Sequence, residues 1–421
     1  MIERYWIEPL KSLWQEEAKW QRILKIELAV LEFLHEKGLI PLPEWKEIQE
    51  KATFSLSRMA EIEAKVHHDV IAFITNVEEN IGPAGRWIHY GLTSCDVLDT
   101  GLSLALQEAL RHILSLGEEV LSLFSTLARE NQEILIMGRT HGVHAEPMSL
   151  GFKFFGFHQE LKRRLDLIKR TKEICRVGKI SGAVGMNLFY SKEEEKRILG
   201  KLGLRPALDA TQVIPRDLFA QVSTALALLA GSLERFAQEI RLLHQTEISE
   251  IREGFGPNQR GSSAMPHKKN PILCERICGL ARIVRSLSFA QQETMALWHE
   301  RDLTNSSVER ITLPDQTSLI YYMLHLSKKI LNSLEINYNK IEENLFLLGE
   351  SFLSGYALNQ LVKRGSSRNE AYGMIQQAVH QGDLSHFWDS LNQKQDKPLE
   401  KPDLSLFWKE SKKKIEEGLK L

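Results

Sequence analysis

Residues 218–243 read LFAQVSTALALLAGSLERFAQEIRLL. Within this stretch Val222, Leu226, Leu229, Leu233, Phe236, Ile240 and Leu243 follow one another in alternating steps of four and three. That spacing puts them on one seam of a helix, and no proline interrupts it. The same reading extends outward in both directions. Gly101–Glu130 and Met148–Val177 read as further helices, Pro271 to about Arg301 as a fourth with proline at its start, and Asp315 to about Phe346 as a fifth. At 1.5 Å rise per residue, helices of about 30 residues make rods of roughly 45 Å, longer than one compact domain is wide. Their seams want partners, and a bundle assembled from several subunits supplies them.

No alternation is long enough to propose a sheet, and no short-period repeat occurs. The expected fold class is therefore all-α: three helical domains with a long central bundle that assembles into a multi-subunit core. The domains are expected at 1–92, 93–346 and 347–421. The first is broken at Gly38-Leu39-Ile40-Pro41 and Ile81-Gly82-Pro83. The last contains SRNEAYGMIQQAV (367–379) and is punctuated by Pro398 and Pro402.

Composition excludes several classes of function. The chain has 421 residues, with 54 Lys plus Arg against 55 Asp plus Glu, a formal net charge of −1. It offers no basic footprint for nucleic acid and no acidic tail. The densest cationic run, Lys412-Lys413-Lys414, reads as a solvated helix face. The first residues, MIERYWIEPLKSLW, carry Glu3, Arg4 and Glu8 and do not read as a signal peptide. No run of about 18 apolar residues occurs, so no membrane span is expected. The expectation is a soluble, cytoplasmic protein. Cys95, Cys175, Cys274 and Cys278 show no CxxC spacing, and they are expected to be free thiols in a reducing compartment.

Polar chemistry is concentrated in four stretches between helices: HHDVIAFI (67–74), RWIHYGLTSCD (86–96), GRTHGVHAEP (138–147) and GSSAMPHKKNP (261–271). Taken singly, His67, His68, His89, His141 or His144 could each cap a helix end. Together they are five of 14 histidines in three patches, and histidine is the side chain best placed for proton transfer near neutral pH. The fourth stretch could be a flexible linker. Against that, Lys268, Lys269 and Asn270 run directly into Pro271 at a helix start, and cations, amide donors and a helix N-terminus all favour an anion. Gly261 leaves the backbone free to swing, so the loop could close over that anion.

GSSAMPHKKNP fits the G-S-x-x-M-x-x-K-x-N signature of the fumarase/aspartase superfamily. Within that superfamily, HHDVIAFI, WIHYGLTSCDVLDT, GRTHGVHAEP and the Pro-His-Lys form of the loop resemble the adenylosuccinate lyase family. The resemblance runs from Arg4-Tyr5 to the SRNEAY segment. It implies a homotetrameric, α-helical lyase with no metal or organic cofactor. The partners it implies are small-molecule purine nucleotides: adenylosuccinate, giving AMP and fumarate, and SAICAR, giving AICAR and fumarate. Argininosuccinate lyases differ at Thr93-Ser94-Cys95-Asp96 and lack the GVHAEP continuation. Another fumarate-releasing lyase of that kind, or a non-catalytic helical scaffold, is the alternative.

Eliminating fumarate needs a base, an acid and strong stabilisation of a carbanion beside a carboxylate. By resemblance, Ser262 is the base, with Ser263 next in line, and His141 is the acid, with Glu275 as the partner that holds its tautomer. Lys268 and Asn270 would grip the succinyl carboxylates. Thr93 and Ser94 would hold the fumarate-side carboxylates, and Gln212 the middle of the substrate. Arg4 and Tyr5 resemble a phosphate-facing pair. His67, His68 and Asp69 resemble nucleotide and phosphate contacts, with His68 a possible second catalytic histidine and His89 in the same neighbourhood. Arg301, Ser306 and Arg310 correspond to later phosphate and carboxylate contacts. Because Ser94 precedes and His141 follows one long helix of roughly 45 Å, helix length leads to the expectation of active sites shared between subunits.

Overall fold

The structure is a computed structural model of the chain and describes residues 1–256, 261, 264–380, 386–393 and 397–420. Ser262, expected as the base, and Ser263 lie outside the described residues. Five helices open the chain: α1 (Leu10–Leu13), α2 (Glu16–Glu36), α3 (Leu42–Lys51), α4 (Leu56–Val66) and α5 (Asp69–Ile81). The long α6 (Ser94–Glu130) leads into a hairpin of β1 (Leu135–Thr140) and β2 (Val143–Ser149). Then come α7 (Leu150–Ile174), α8 (Lys192–Lys201), α9 (Arg216–Leu243), α10 (Ile272–Glu293) and α11 (Thr304–Asn332). Shorter helices finish the chain: α12 (Tyr338–Leu345), α13 (Ser354–Lys363), α14 (Arg368–His380), α15 (Phe387–Asn392) and α16 (Lys409–Gly418). Two-residue strand pairs, Val177–Gly178 with Arg205–Pro206 and Ile251–Arg252 with Glu335–Ile336, are the remaining extended pairings among the described residues. The class is all-α, as read from the sequence.

Three of the five long helices, α6, α7 and α11, begin away from their expected starts for identifiable reasons. Helix α6 begins at Ser94, not Gly101, because the Asp96 carboxylate accepts the Thr93 backbone N–H at 2.8 Å, half of a capping box. Helix α7 begins at Leu150 because β2 runs through Ser149, whose hydroxyl then accepts the Phe152 N–H at 3.1 Å. Helix α11 begins at Thr304, where Asp302 accepts its N–H at 2.7 Å, and it runs through Pro314 rather than starting after it. A proline costs a helix one N–H and some bending, and the apolar packing of the turns on either side tolerates that cost here: Leu313 and Leu319 are both buried.

The chain divides into two compact units whose boundaries fall inside α6, α7, α9, α10 and α11. Unit 1 comprises Met1–Glu118, Arg164–Leu233 and Gly279–His325. Its main core is the apolar face of α2, including Trp20, Ile23, Leu24, Val30, Leu31 and Phe33, packed on Val70, Phe73 and Val77 of α5. Trp20 and Phe73 stack at 5.2 Å. Unit 2 comprises Glu119–Arg163, Glu234–Cys278 and Leu326–Leu421. Phe124, Phe157 and Phe236 meet edge-on or tilted, with Phe124 and Phe236 centroids 5.0 Å apart. A second cluster there joins Met137 of the hairpin to Leu353, Leu361, Phe387 and Trp388. None of the four cysteines is in a disulfide among the described residues, and all four are buried. No described helix is long and apolar enough to cross a membrane.

The hairpin was not legible as strands. LIMGRT and VHAEPMS lack an apolar alternation, and Pro147 sits within the second. Their pairing runs Leu135↔Ser149, Ile136↔Met148 and Met137↔Pro147, shifts, then continues Arg139↔His144 and Thr140↔Val143. Gly138 stands at the shift, where any Cβ would collide with the Glu146 carbonyl oxygen.

Candidate active site

In unit 1 the expected residues stand on helix starts and tight turns. Arg4 and Tyr5 lie in a single turn, Glu3–Tyr5, and the terminal ammonium of Met1 lies 3.4 Å from Asp315 of α11. Arg4 is exposed, whereas the Tyr5 ring packs 5.4 Å from Tyr322. His67 ends α4 in left-handed backbone (φ 54°), and His68 caps α5 by accepting the Ile71 N–H. Asp69, the first residue of α5, accepts Arg310 Nη2 at 3.0 Å and lies 3.9 Å from Lys19 Nζ. Burial works against its charge, but Lys19 and Arg310 together hold its carboxyl below the usual range.

Buried carboxylates anchor this region from beneath. Glu27, fully buried, accepts both the backbone N–H of His89 (2.9 Å) and its Nδ1 (2.7 Å). His89 itself is in left-handed backbone, φ 61°. Asp96 and Lys179 are both fully buried and ion-paired, and Asp96 also accepts the N–H groups of Thr93, Ser181 and Gly182. Thr93 and Ser94 therefore begin α6 on a fixed backbone. Arg216 lies between Asp99 and Glu309, both buried. Burial pushes the Glu309 carboxyl up despite that partner.

Arg301, Ser306 and Arg310 line one cleft of about 260 Å³, together with Lys19, Arg22, Asn305, the acidic Glu16, Asp99 and Glu309, and apolar residues such as Trp14 and Ile23. Arg301 Nη1 donates to Gln212 Oε1 at 2.9 Å, and Gln212 Nε2 donates to the Ala183 carbonyl at 3.1 Å. Arg4, Tyr5, His67, His68, His89, Thr93 and Ser94 lie outside the lining of this cleft. Lys19 and Arg22 were not found by sequence reasoning. They sit one turn apart on α2, and an i, i+3 pair of cations on a surface helix carries no distinguishing signal.

In unit 2, His141 and Gly142 form the two-residue tip of the hairpin, with φ of 56° and 78°. Two successive left-handed residues between paired Thr140 and Val143 make a type I′ turn, which matches the twist of the strands. His141 is exposed at that tip. Behind it, Arg139 makes two hydrogen bonds to the fully buried Glu250, at 2.9 and 2.7 Å, and Asn344 adds a third at 3.0 Å. His144 faces Arg139 across the hairpin, and its Nδ1 is buried without a hydrogen-bond partner. Burial, then the charge of Arg139, holds this imidazole below its ordinary range.

The loop before α10 folds on itself. Asn270 Nδ2 donates to the Gly261 carbonyl at 3.0 Å, and Lys268 N–H donates to Met265 O at 3.0 Å. A side chain at Gly261 would overlap the Lys268 carbonyl, so this glycine is required by close backbone approach. The expectation that the start of α10 offers its amides to an outside anion is corrected by Glu253. Its buried carboxylate accepts Leu273 N–H at 3.1 Å and Cys274 N–H at 2.9 Å and so occupies that terminus. Lys268 and Glu275 are exposed. No hydrogen bond among the described residues joins His141 to Glu275, Lys268 or Asn270.

The model of a family described as lyase matches residues 10–285. The adenylosuccinate lyase of Thermotoga maritima is 43% identical over 376 residues, 89% of this chain and 87% of that protein. The adenylosuccinate lyase of Synechocystis sp. is 45% identical over 381 residues, 90% and 88% respectively. In fold, the chain is similar to a fumarate lyase from Mesorhizobium sp. BNC1, with a TM-score of 0.84 at 23% identity over 94% of this chain and 91% of that one. Identity above 40% sustained over nine-tenths of the chain reaches well past the signature loop: this chain belongs to the adenylosuccinate lyases.

Proposed function

We propose that the protein eliminates fumarate from adenylosuccinate, leaving AMP, and by the same step from SAICAR, leaving AICAR. The observation that carries the nucleotide reading is the cleft where Arg301, Ser306 and Arg310 stand with Lys19 and Arg22. A phosphate-free succinyl-amine such as argininosuccinate offers there only the single charge of its amino-acid carboxylate, beside its own ammonium, where a phosphate offers a dianion, and a scaffold has no need of such a cleft.

In the proposed step a base takes a proton from the succinyl carbon beside a carboxylate. The electron pair left behind forms the new carbon–carbon double bond. The carbon–nitrogen bond breaks, its pair stays on nitrogen, and an acid protonates that nitrogen. Ser262 is the proposed base and His141 the acid, with Glu275 its partner. Lys268, Asn270, Thr93 and Ser94 hold the two carboxylates, so the charge of the carbanion develops against fixed donors. Gln212 orients the middle of the substrate. Arg4, Tyr5, Arg301, Ser306 and Arg310 take the phosphate end, with His67, His68, Asp69 and His89 around the nucleotide. The step transfers no electrons to a redox partner, and none of the assigned roles calls for a cofactor.

We further propose a homotetramer in the cytoplasm, with residues 1–92 and 347–421 flanking the 93–346 bundle and each site assembled from several chains. Phe289 and Ile311, on two of the long helices, are 68% and 58% exposed, and large apolar side chains left bare on a bundle favour further copies. Four cysteines outside any disulfide suit a reducing compartment. Fumarate release from adenylosuccinate by the purified protein tests the activity, and argininosuccinate is the control. Release from argininosuccinate alone would overturn the reading. Mixing dissociated His141→Ala and Ser262→Ala subunits tests the shared site: activity should return well above either parent. Hybrid tetramers as inactive as the parents would place both residues in one chain's contribution.

A further inference from the structure

The cations of the unit 1 cleft are not equally engaged. Arg310 and Lys19 are drawn to Asp69, and Lys19 also reaches Glu16 at 3.1 Å and lies 4.4 Å from the Trp20 ring centroid. Arg216, behind the cleft wall, is held by Asp99 and Glu309. Arg22 differs. It is half-buried on α2, and its one hydrogen bond among the described residues goes from Nη1 to the Leu13 carbonyl at 2.9 Å. No described carboxylate lies within 4.0 Å of it. A guanidinium has five N–H donors in a planar fork, so most of this one faces the cleft without an acceptor. Burial pushes its pKa down to about 10 although the charge of Glu108 works the other way, and that is still high enough to keep it charged at neutral pH.

Holding a charge in a half-buried place with no described carboxylate in contact is unfavourable, and an arriving anion relieves it. Capping α1 through Leu13 does not account for it, because a neutral amide donor would serve a helix end as well. Asn305, on the same cleft wall and 5% exposed, adds a buried Oδ1 that has no hydrogen-bond donor. The wall thus has unsatisfied groups of both signs of polarity, which suits a ligand with oxygens and a hydroxyl or water at its edge.

We infer that Arg22 is a specificity-determining residue that binds the phosphate of the nucleotide substrate from the α2 side of the cleft, opposite Arg301 and Arg310. This rests on the nucleotide reading proposed above. Its consequence is selectivity: Arg22 strengthens binding of a phosphate monoester dianion and contributes nothing to the nucleoside part.

The test measures binding of AMP and of adenosine to the assembled protein by calorimetry, for wild type, Arg22→Gln and Arg310→Gln. Glutamine keeps a donor for Leu13 and removes the charge. Arg22→Gln should weaken AMP by about tenfold or more, the scale of a lost charged hydrogen bond, while adenosine changes by less than about twofold. Arg22→Met, which keeps the apolar stem, is read in the same way if the glutamine variant fails to assemble. Equal losses for AMP and adenosine, or no loss of AMP, would overturn the assignment if Arg310→Gln loses AMP selectively. If Arg310→Gln also treats AMP and adenosine alike, the phosphate is not in this cleft. The nucleotide reading of the cleft then fails, and the role of Arg22 with it.

Discussion

The segment around His89 and the hairpin tip around His141 both place a histidine in left-handed backbone, and they restrain it in opposite ways. At His89 the buried Glu27 takes both the main-chain N–H and the ring nitrogen, so backbone and side chain are fixed together. At His141 the fixing stops at the backbone. Arg139, two residues earlier, is locked onto the buried Glu250, and the I′ turn then presents an imidazole with no described hydrogen bond. The first arrangement suits a group that must recognise a shape. The second suits a group that must exchange a proton and find its partner only when the site assembles. Both use a buried carboxylate; what differs is whether the carboxylate reaches the histidine itself.

Three experiments break or sharpen that contrast. The largest effect is expected for His141→Gln. Removing an exposed side chain that has no hydrogen-bond partner among the described residues should leave the thermal midpoint unchanged within about 1–2 °C, while kcat falls by roughly 10³-fold, the range for loss of a general acid. A variant with near-normal kcat would remove His141 from the chemistry. Next comes Glu27→Gln, which leaves one acceptor but removes the charged bond to His89. It should lower unfolding free energy by about 1.5–3 kcal/mol in denaturant titrations and raise KM more than it lowers kcat. A loss of kcat alone would mean that His89 takes part in proton transfer.

The smallest effect concerns His144. Its folded-state pKa is depressed, so below the ordinary histidine value the unfolded chain binds the proton more readily. Stability contributed by the neutral ring is therefore full above the unfolded pKa, near 6.5, and declines as pH falls through the window below it. For a ring partly open to solvent the change should be about a few tenths of a kcal/mol. His144→Gln should flatten stability against pH in that window, and an unchanged slope would assign the slope to other groups.

The sequence revealed the long helices and the site loops more readily than it revealed what supports them. The seam from Val222 to Leu243 identified α9 within two residues, because periodicity over about six turns is a strong signal. The start of α6 was missed although Thr93-Ser94-Cys95-Asp96 is itself a capping pattern, since the same residues were read for substrate contacts. The hairpin escaped because its strands are stabilised by Arg139–Glu250 and the I′ turn rather than by alternation. Glu27, Glu250 and Glu253 could not be found from sequence. Their importance comes from complete or near-complete burial against partners 62, 111 and 20 residues away, a property of tertiary structure alone.

The four buried thiols have a practical consequence. Burial pushes Cys95 up to about 11 and Cys175 up to about 12, and raises Cys274 as well, so these sulfurs carry almost no thiolate at neutral pH. Cys278 is buried from reagents as well, so the folded chain is a quiet background for thiol-directed dyes. A cysteine introduced at Val143, which is 64% exposed beside the hairpin tip, would be labelled alone and would report by fluorescence when another chain covers it.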